Sequence, residues 1–186
     1  MKHLQIETTS GPILLHRQRG ASLLEGIAYL GVAAIVVLGA VSLLTNAFAT
    51  AQSNRVIEEL TSLRTTVKKL YMGQPAGYGT GNINANLVSA RVFPATLAVV
   101  DTDTVRNGWN GEVTVTGATS TFIITYSGVP QTDCINLLTG ATGWTEVEQS
   151  AGTPTSITTF PVTLAQATAA CNVTAASGNT LNFEST

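Results

Sequence analysis

Few residues in this chain have side chains suited to chemistry, and their spacing excludes most kinds of it. Both histidines, His3 and His16, lie within the first twenty residues. A product trimmed there has no imidazole for Ser-His or Cys-His catalysis, nor for a His-based metal site. The two cysteines, Cys134 and Cys171, form no CxxC pair and have no third ligand nearby. In an exported domain two such cysteines read as one disulfide. It would close a loop of ~38 residues and contribute roughly 3–4 kcal/mol by loop entropy. Two free buried thiols are the other reading. Asp101 and Asp103, with Asn107 nearby, make a local acidic pair without EF-hand spacing, so a solvated turn is expected there. Asn172, Val173 and Thr174 form a glycosylation sequon of a kind that arises often by chance. Trp109 and Trp144 read as core or turn residues. No Gly-rich phosphate loop opens a helix. The expectation is a protein that is no enzyme and carries no cofactor and no metal.

One ionisable residue is distinguished by its position. Glu25 stands at the start of a run, residues 26–54, that contains no charge at all. A carboxylate at the edge of an apolar span is costly without a partner, which makes it a functional candidate. An interfacial carboxylate favoured by the helix dipole is the plainer account. Just upstream, Arg17 and Arg19 flank the run and Gly20 follows them.

The element that must position Glu25 is a long helix. Residues 26–44 are apolar on every side, and at 1.5 Å per residue they span about 29 Å, close to a bilayer's hydrocarbon thickness. The flanking arginines keep the N-terminal side cytoplasmic and direct the rest outward. Residues 45–72 contain neither Pro nor Gly. Their apolar positions, Val56, Leu60, Leu63, Val67 and Leu70, make one narrow helical stripe. Arg55, Glu58, Glu59, Arg64, Lys68 and Lys69 take other faces. Gly73 and Pro75 supply the stop. A helix over residues 22–72 would be about 75 Å long, a length more useful to a filament subunit than to an ordinary globular domain. Two plainer readings are a signal anchor holding an unrelated outer domain and a cleaved secretory signal, for which Ala47, Phe48 and Ala49 offer an A-x-A-like site. Against the second, the uncharged run exceeds a usual h-region, and Glu7 sits in the segment before it.

Arg17, Gln18, Arg19 and Gly20, followed by Ala21, Ser22, Leu23, Leu24 and Glu25, resemble the class III signal of type IV prepilins. The resemblance combines basic residues before a glycine, a cut site, a glutamate as fifth residue of the product, and a long uncharged helix. It implies cleavage by a prepilin peptidase between Gly20 and Ala21. The b subclass fits better: the leader is long, Ala21 stands where the a subclass usually has Phe, and the apolar helix lacks proline. The chain also resembles the PilS-type pilins of conjugative plasmids and genomic islands. The turn Asn107, Gly108, Trp109, Asn110 and Gly111 before a strand looks like theirs, as does the short helix carrying Cys134. Family pilins are often methylated on the new terminus, where Ala21 departs from the usual residue.

The resemblance implies an α+β fold, the type IV pilin roll. A long N-terminal helix would pack on a small antiparallel sheet, with the C-terminal region stapled by Cys134 and Cys171. It divides the chain into a cleaved leader (1–20), a transmembrane and filament-core helix (21–54), and a head (55–186) that includes the amphipathic helix half (55–72). Ala21 and Glu25 would serve assembly, the new α-amino group of one subunit pairing with Glu25 of its neighbour. Val56, Leu60, Leu63, Val67 and Leu70 would tie helix to head. The implied partners are further copies of the chain, the prepilin peptidase, and an assembly machinery of inner-membrane platform, ATPase and secretin. The inner membrane would hold the precursor, and a recipient or host cell surface would meet the extracellular pilus. A minor pilin, a secretion pseudopilin and a signal-anchored binding protein are the competing functions.

Composition agrees with an exported head. Charged residues are 11 % of the chain and apolar residues 44 %, with a net charge of −2, so the chain is not disordered in character. Residues 1–20 hold three of the nine Lys/Arg and one of the eleven Asp/Glu, so the remainder carries a net charge near −4. Such a product has no electrostatic footprint for nucleic acid. Within the head, residues 74–86 read as a Gly- and Asn-rich loop and 86–92 as a short helix. Residues 112–116 and 121–126 read as paired strands joined by 117–120. Residues 144–147 and 181–183 are weaker strands, and 164–170 a second short helix ending at Cys171.

Overall fold

The computed structural model describes residues 23–186. The leader 1–20 and the expected cut site at Gly20 and Ala21 lie outside the described residues. The chain divides into two compact units, with the boundary between Leu43 and Leu44. Helix α1 (Leu23–Tyr71) has 49 residues, Glu25 in its first turn and Lys68 and Lys69 in its last. Both placements complement the helix dipole. It ends where Gly73 adopts a left-handed φ of 80° that closes the last turn.

In the second unit an antiparallel sheet carries the fold. Strands β1 (Thr80–Asn82), β2 (Ala98–Val99), β3 (Val105–Arg106), β4 (Glu112–Ala118), β5 (Thr121–Val129), β6 (Glu146–Gln149), β7 (Thr155–Ile157) and β8 (Asn179–Ser185) join in the order β2-β3-β4-β5-β8-β6-β7. Strand β1 adds to β4 outside that path. The C-terminal strand therefore lies in the middle of the sheet, between β5 and β6. Val113 and Val115, Phe122, Ile124 and Tyr126, and Leu181 and Phe183 alternate inward and are fully buried. They meet Val56, Leu60, Leu63 and Val67 of α1 in one core. Burial of each large apolar side chain contributes about 1.5–3 kcal/mol.

Three short helices complete the unit. Helix α2 (Asn84–Ser89) precedes the β2–β3 hairpin. Helix α3 (Gln131–Gly140) carries Cys134, and α4 (Leu164–Ala170) ends at Cys171. A capping box between Thr163 and Gln166 starts α4. Cys134 and Cys171 are disulfide-bonded across 5.9 Å between Cα atoms, and both are buried.

Several boundaries differ from the sequence expectation. The segment 74–86 is not all loop, because β1 pairs with β4 from Thr80↔Ala118 to Asn82↔Thr116. Helix α2 begins two residues earlier than expected and stops before Arg91, whose φ is 54°. The β4–β5 hairpin is longer than expected and turns at Thr119 and Ser120. Trp144 lies before β6 rather than in it. Strands β2, β3 and β7 were not apparent in the sequence.

Candidate functional site

The first unit offers a membrane-type helix. Within α1, Leu23–Thr45 is a 23-residue stretch long and apolar enough to cross a bilayer. Ile27, Leu30, Ile35, Val36, Leu38 and Leu43 are all exposed. In water such a surface would be strongly unfavourable, so it calls for lipid or other helices around it. Glu25 lies in its first turn and is itself exposed.

The second unit shows how the other half of α1 is held. Val56, Leu60, Leu63 and Val67 are buried against the sheet. Leu70 is not: it is 39 % exposed, which corrects the expectation that it packs on the head. The last turn is held by Tyr71 instead. Its ring lies 5.7 Å from that of Tyr78, which in turn lies 4.7 Å from Phe122. The larger side chain reaches the core where the helix leaves it.

Polar contacts add direction to this packing. The Ser53 hydroxyl donates to Oδ1 of Asp133 on α3 at 2.6 Å, and both residues are buried. Tyr126 on β5 directs its hydroxyl at Oε2 of the buried Glu59, at 3.4 Å. Burial pushes the Glu59 carboxyl up, while hydrogen bonds from Thr96 and Tyr126 and the charge of Arg55 pull it part of the way back. Burial, then the Glu59 charge and its hydrogen bond, hold the Tyr126 phenol well above its usual value. Arg64 donates to the Ser185 hydroxyl and the Thr142 carbonyl, and its guanidinium lies 5.1 Å from the Trp144 ring centre.

Two buried asparagines replace missing strand contacts. Asn84 on α2 donates to the carbonyls of Asp103 and Val113 and accepts from the Val115 amide. It thus fills the gap on the edge of β4 between β3 and β1. Asn179 donates to the Val129 and Val173 carbonyls and accepts from the Val173 amide.

These polar residues were missed in the sequence. Ser53 had a usable signal, since it is three positions before Val56 and in phase with the stripe. Glu59 and Asn84 had none, because hydrophilic residues on an amphipathic helix or in a loop read as solvated. Among the described residues no group of three or more His, Cys, Asp or Glu side chains could hold a metal ion. Asp101 and Asp103 are exposed at the β2–β3 turn. The arrangement is one of mechanical attachment: a helix with one unsheltered apolar half and one half locked into a disulfide-bonded head.

Comparison with known proteins agrees with this architecture. The family model described as PilS N terminal matches residues 50–186. A crystal structure of a type IV b pilin from Salmonella typhi superposes with a TM-score of 0.56 and 23 % identity, over 68 % of this chain and 95 % of that one. TcpA, a type IV pilin from the El Tor biotype of Vibrio cholerae, superposes with a TM-score of 0.54 and 17 % identity, over 73 % of this chain and 99 % of that one. No curated protein matches.

Proposed function

The chain belongs to the PilS family of type IVb pilins, and on that premise we propose that it is the major subunit of a type IVb pilus, made as a membrane-held precursor. Residues 1–20 are a leader, cut after Gly20 by a prepilin peptidase on the cytoplasmic face. Residues 21–54 form the membrane and then filament-core helix, and residues 55–186 the head. The observation that carries this reading is the pairing of a PilS-type head with Leu23–Thr45, a helix whose apolar side chains the fold leaves uncovered.

The mechanism follows from charge and hydrocarbon. Cleavage creates an α-amino group at Ala21, beside the apolar span. Glu25 of a neighbouring subunit neutralises it, and in low-dielectric surroundings neither charge is tolerated alone, so their pairing selects the axial register. Lateral burial of residues such as Ile27, Ile35 and Leu43 between helices then gives cohesion. The platform, ATPase and secretin of the assembly machinery would draw subunits out of the inner membrane. The exposed heads would make contact with a recipient or host cell, in conjugation or attachment.

The test is the N-terminus and intact mass of protein sheared from cells. A main species starting at Ala21, two hydrogens lighter than its reduced mass, is the expected result. A chain starting near Thr50 would make this an ordinary secreted domain. An uncut chain found only in membranes would make it a signal-anchored protein. A correctly cut chain present only in trace amounts would make it a minor pilin.

A further inference from the structure

We propose that the head carries a binding groove for a short neutral saccharide, at the end of the sheet where β3 turns into β4. The groove is shallow and open to solvent, with a volume of ≈ 370 Å³, so it suits a short ligand held weakly rather than an enclosed one. The inference goes beyond the structural role above and does not depend on it.

The loop that forms one wall is fixed before any ligand arrives. Asn107 is buried, and its Oδ1 accepts from the backbone amides of Trp109 and Gly111 at 3.0 and 2.9 Å. Its Nδ2 donates to the Ser127 carbonyl at 2.8 Å. Asn110 sits at a φ of 63°, and its carbonyl accepts from Nη1 of Arg106 at 2.9 Å. A non-glycine residue held in the left-handed region stores strain that the surrounding contacts must offset. Asn tolerates that conformation better than most residues. Such a loop loses little conformational freedom on binding, so more of the contact energy appears as affinity.

Gly111 and Gly128 put backbone rather than side chains on part of the groove's lining. A Cβ on Gly111 would lie 1.8 Å from the Ser127 carbonyl oxygen, and one on Gly178 would lie 2.5 Å from the carbonyl carbon of Gly128. Gly128 itself has a φ of 71°, and a Cβ there would lie 3.2 Å from the Gly111 Cα. Gly111 and Gly128, together with Gly178 beside the groove, thus let three backbone segments close together.

The walls define the ligand. Trp109 is half-buried and packs on the core while bordering the groove. Arg106 and the exposed Glu112 face each other in the β3–β4 register. An aromatic surface suits the apolar C–H face of a pyranose ring. A carboxylate accepts from adjacent hydroxyls, a guanidinium donates to them, and the exposed Asn110 amide can do either. One cation and one anion cancel, which favours a neutral sugar over an acidic one.

The test is saturation-transfer NMR on the full chain, held in a detergent without a sugar headgroup. The probes are galactose, glucose, N-acetylglucosamine and lactose, with glucuronate as the charged comparison. Weak sites with Kd of ~1–10 mM are within reach. The expected result is saturable transfer to the C–H protons of at least one neutral sugar. Trp109→Ala should abolish it. Glu112→Gln, at an exposed position and with unchanged thermal unfolding, should weaken it about tenfold, as loss of a charge-assisted hydrogen bond does. The proposal is overturned if no neutral sugar gives saturable transfer, if glucuronate alone does, or if the signal persists in both variants.

Discussion

The hydroxyl of Ser53 lies 2.6 Å from the carboxylate of Asp133, although the two residues are 80 positions apart in the chain. One is on α1 and the other is in the first turn of α3, next to Cys134. The contact couples the point where α1 begins to pack on the head to the helix that carries the disulfide.

Ser53→Ala should therefore destabilise the head by about 1–3 kcal/mol, because a buried carboxylate loses a close donor. Urea denaturation of parent and variant would measure it. In a double-mutant cycle with Asp133→Ala, the two losses should be less than additive. Full additivity would mean that the hydrogen bond contributes nothing of its own.

Glu59 predicts a pH dependence of definite sign. Its folded-state pKa is raised above the usual 4.5 by burial, so between 4.5 and that raised value the folded state holds the proton more tightly than the unfolded one. Stability from this group is greatest below pH 4.5 and is lost as pH rises through the folded pKa. Glu59→Gln keeps the shape and an acceptor for Tyr126. It should remove this component of the slope and leave the head at least as stable as the parent near neutrality. Thermal unfolding of both proteins from acid to neutral pH is the measurement. Parallel curves would show that Glu59 is not responsible.

Asn84→Ala should unfold the edge of β4 locally and cost about 3 kcal/mol or more. Two carbonyls and one amide lose their partner together. Hydrogen exchange at the Val115 amide reports it directly, with protection falling further than at the Ile124 amide in the β5–β8 centre of the sheet. Equal loss at both positions would indicate global rather than local weakening.

Glu25→Ala should leave leader cleavage largely intact and prevent normal pili, since the charge that would meet the new α-amino group is gone. Electron microscopy of sheared material and immunoblots of cell membranes separate assembly from processing. Abundant normal filaments from this variant would remove Glu25 from the mechanism. Gly20→Val should have the opposite profile, with an uncut precursor accumulating.

The long helix was legible in the sequence because its signals are local. An uncharged run, a stripe at helical spacing and a glycine stop are read from neighbouring residues alone, and α1 (Leu23–Tyr71) follows them. Helix α4 (Leu164–Ala170) matches for the same reason, with its Thr163–Gln166 capping box lying beside it. The hairpin of β4 and β5 showed through apolar alternation, as did the inner part of β8. Strands β1, β2, β3 and β7, each two or three residues long, carry no alternation. A neighbour's free edge makes them strands. Burial is decided in the same way. Val67 and Leu70 look alike in the stripe, but the head extends under only one of them, and Tyr71 takes the contact the other would have made. The sequence by itself determined which stretches were apolar and helical, because those properties depend on residues within one or two turns. The tertiary structure alone decided that Ser53 meets Asp133, that Asn84 completes a strand edge, and that Gly111, Gly128 and Gly178 pack together beside a groove. Each of these depends on residues that only the closed sheet brings together.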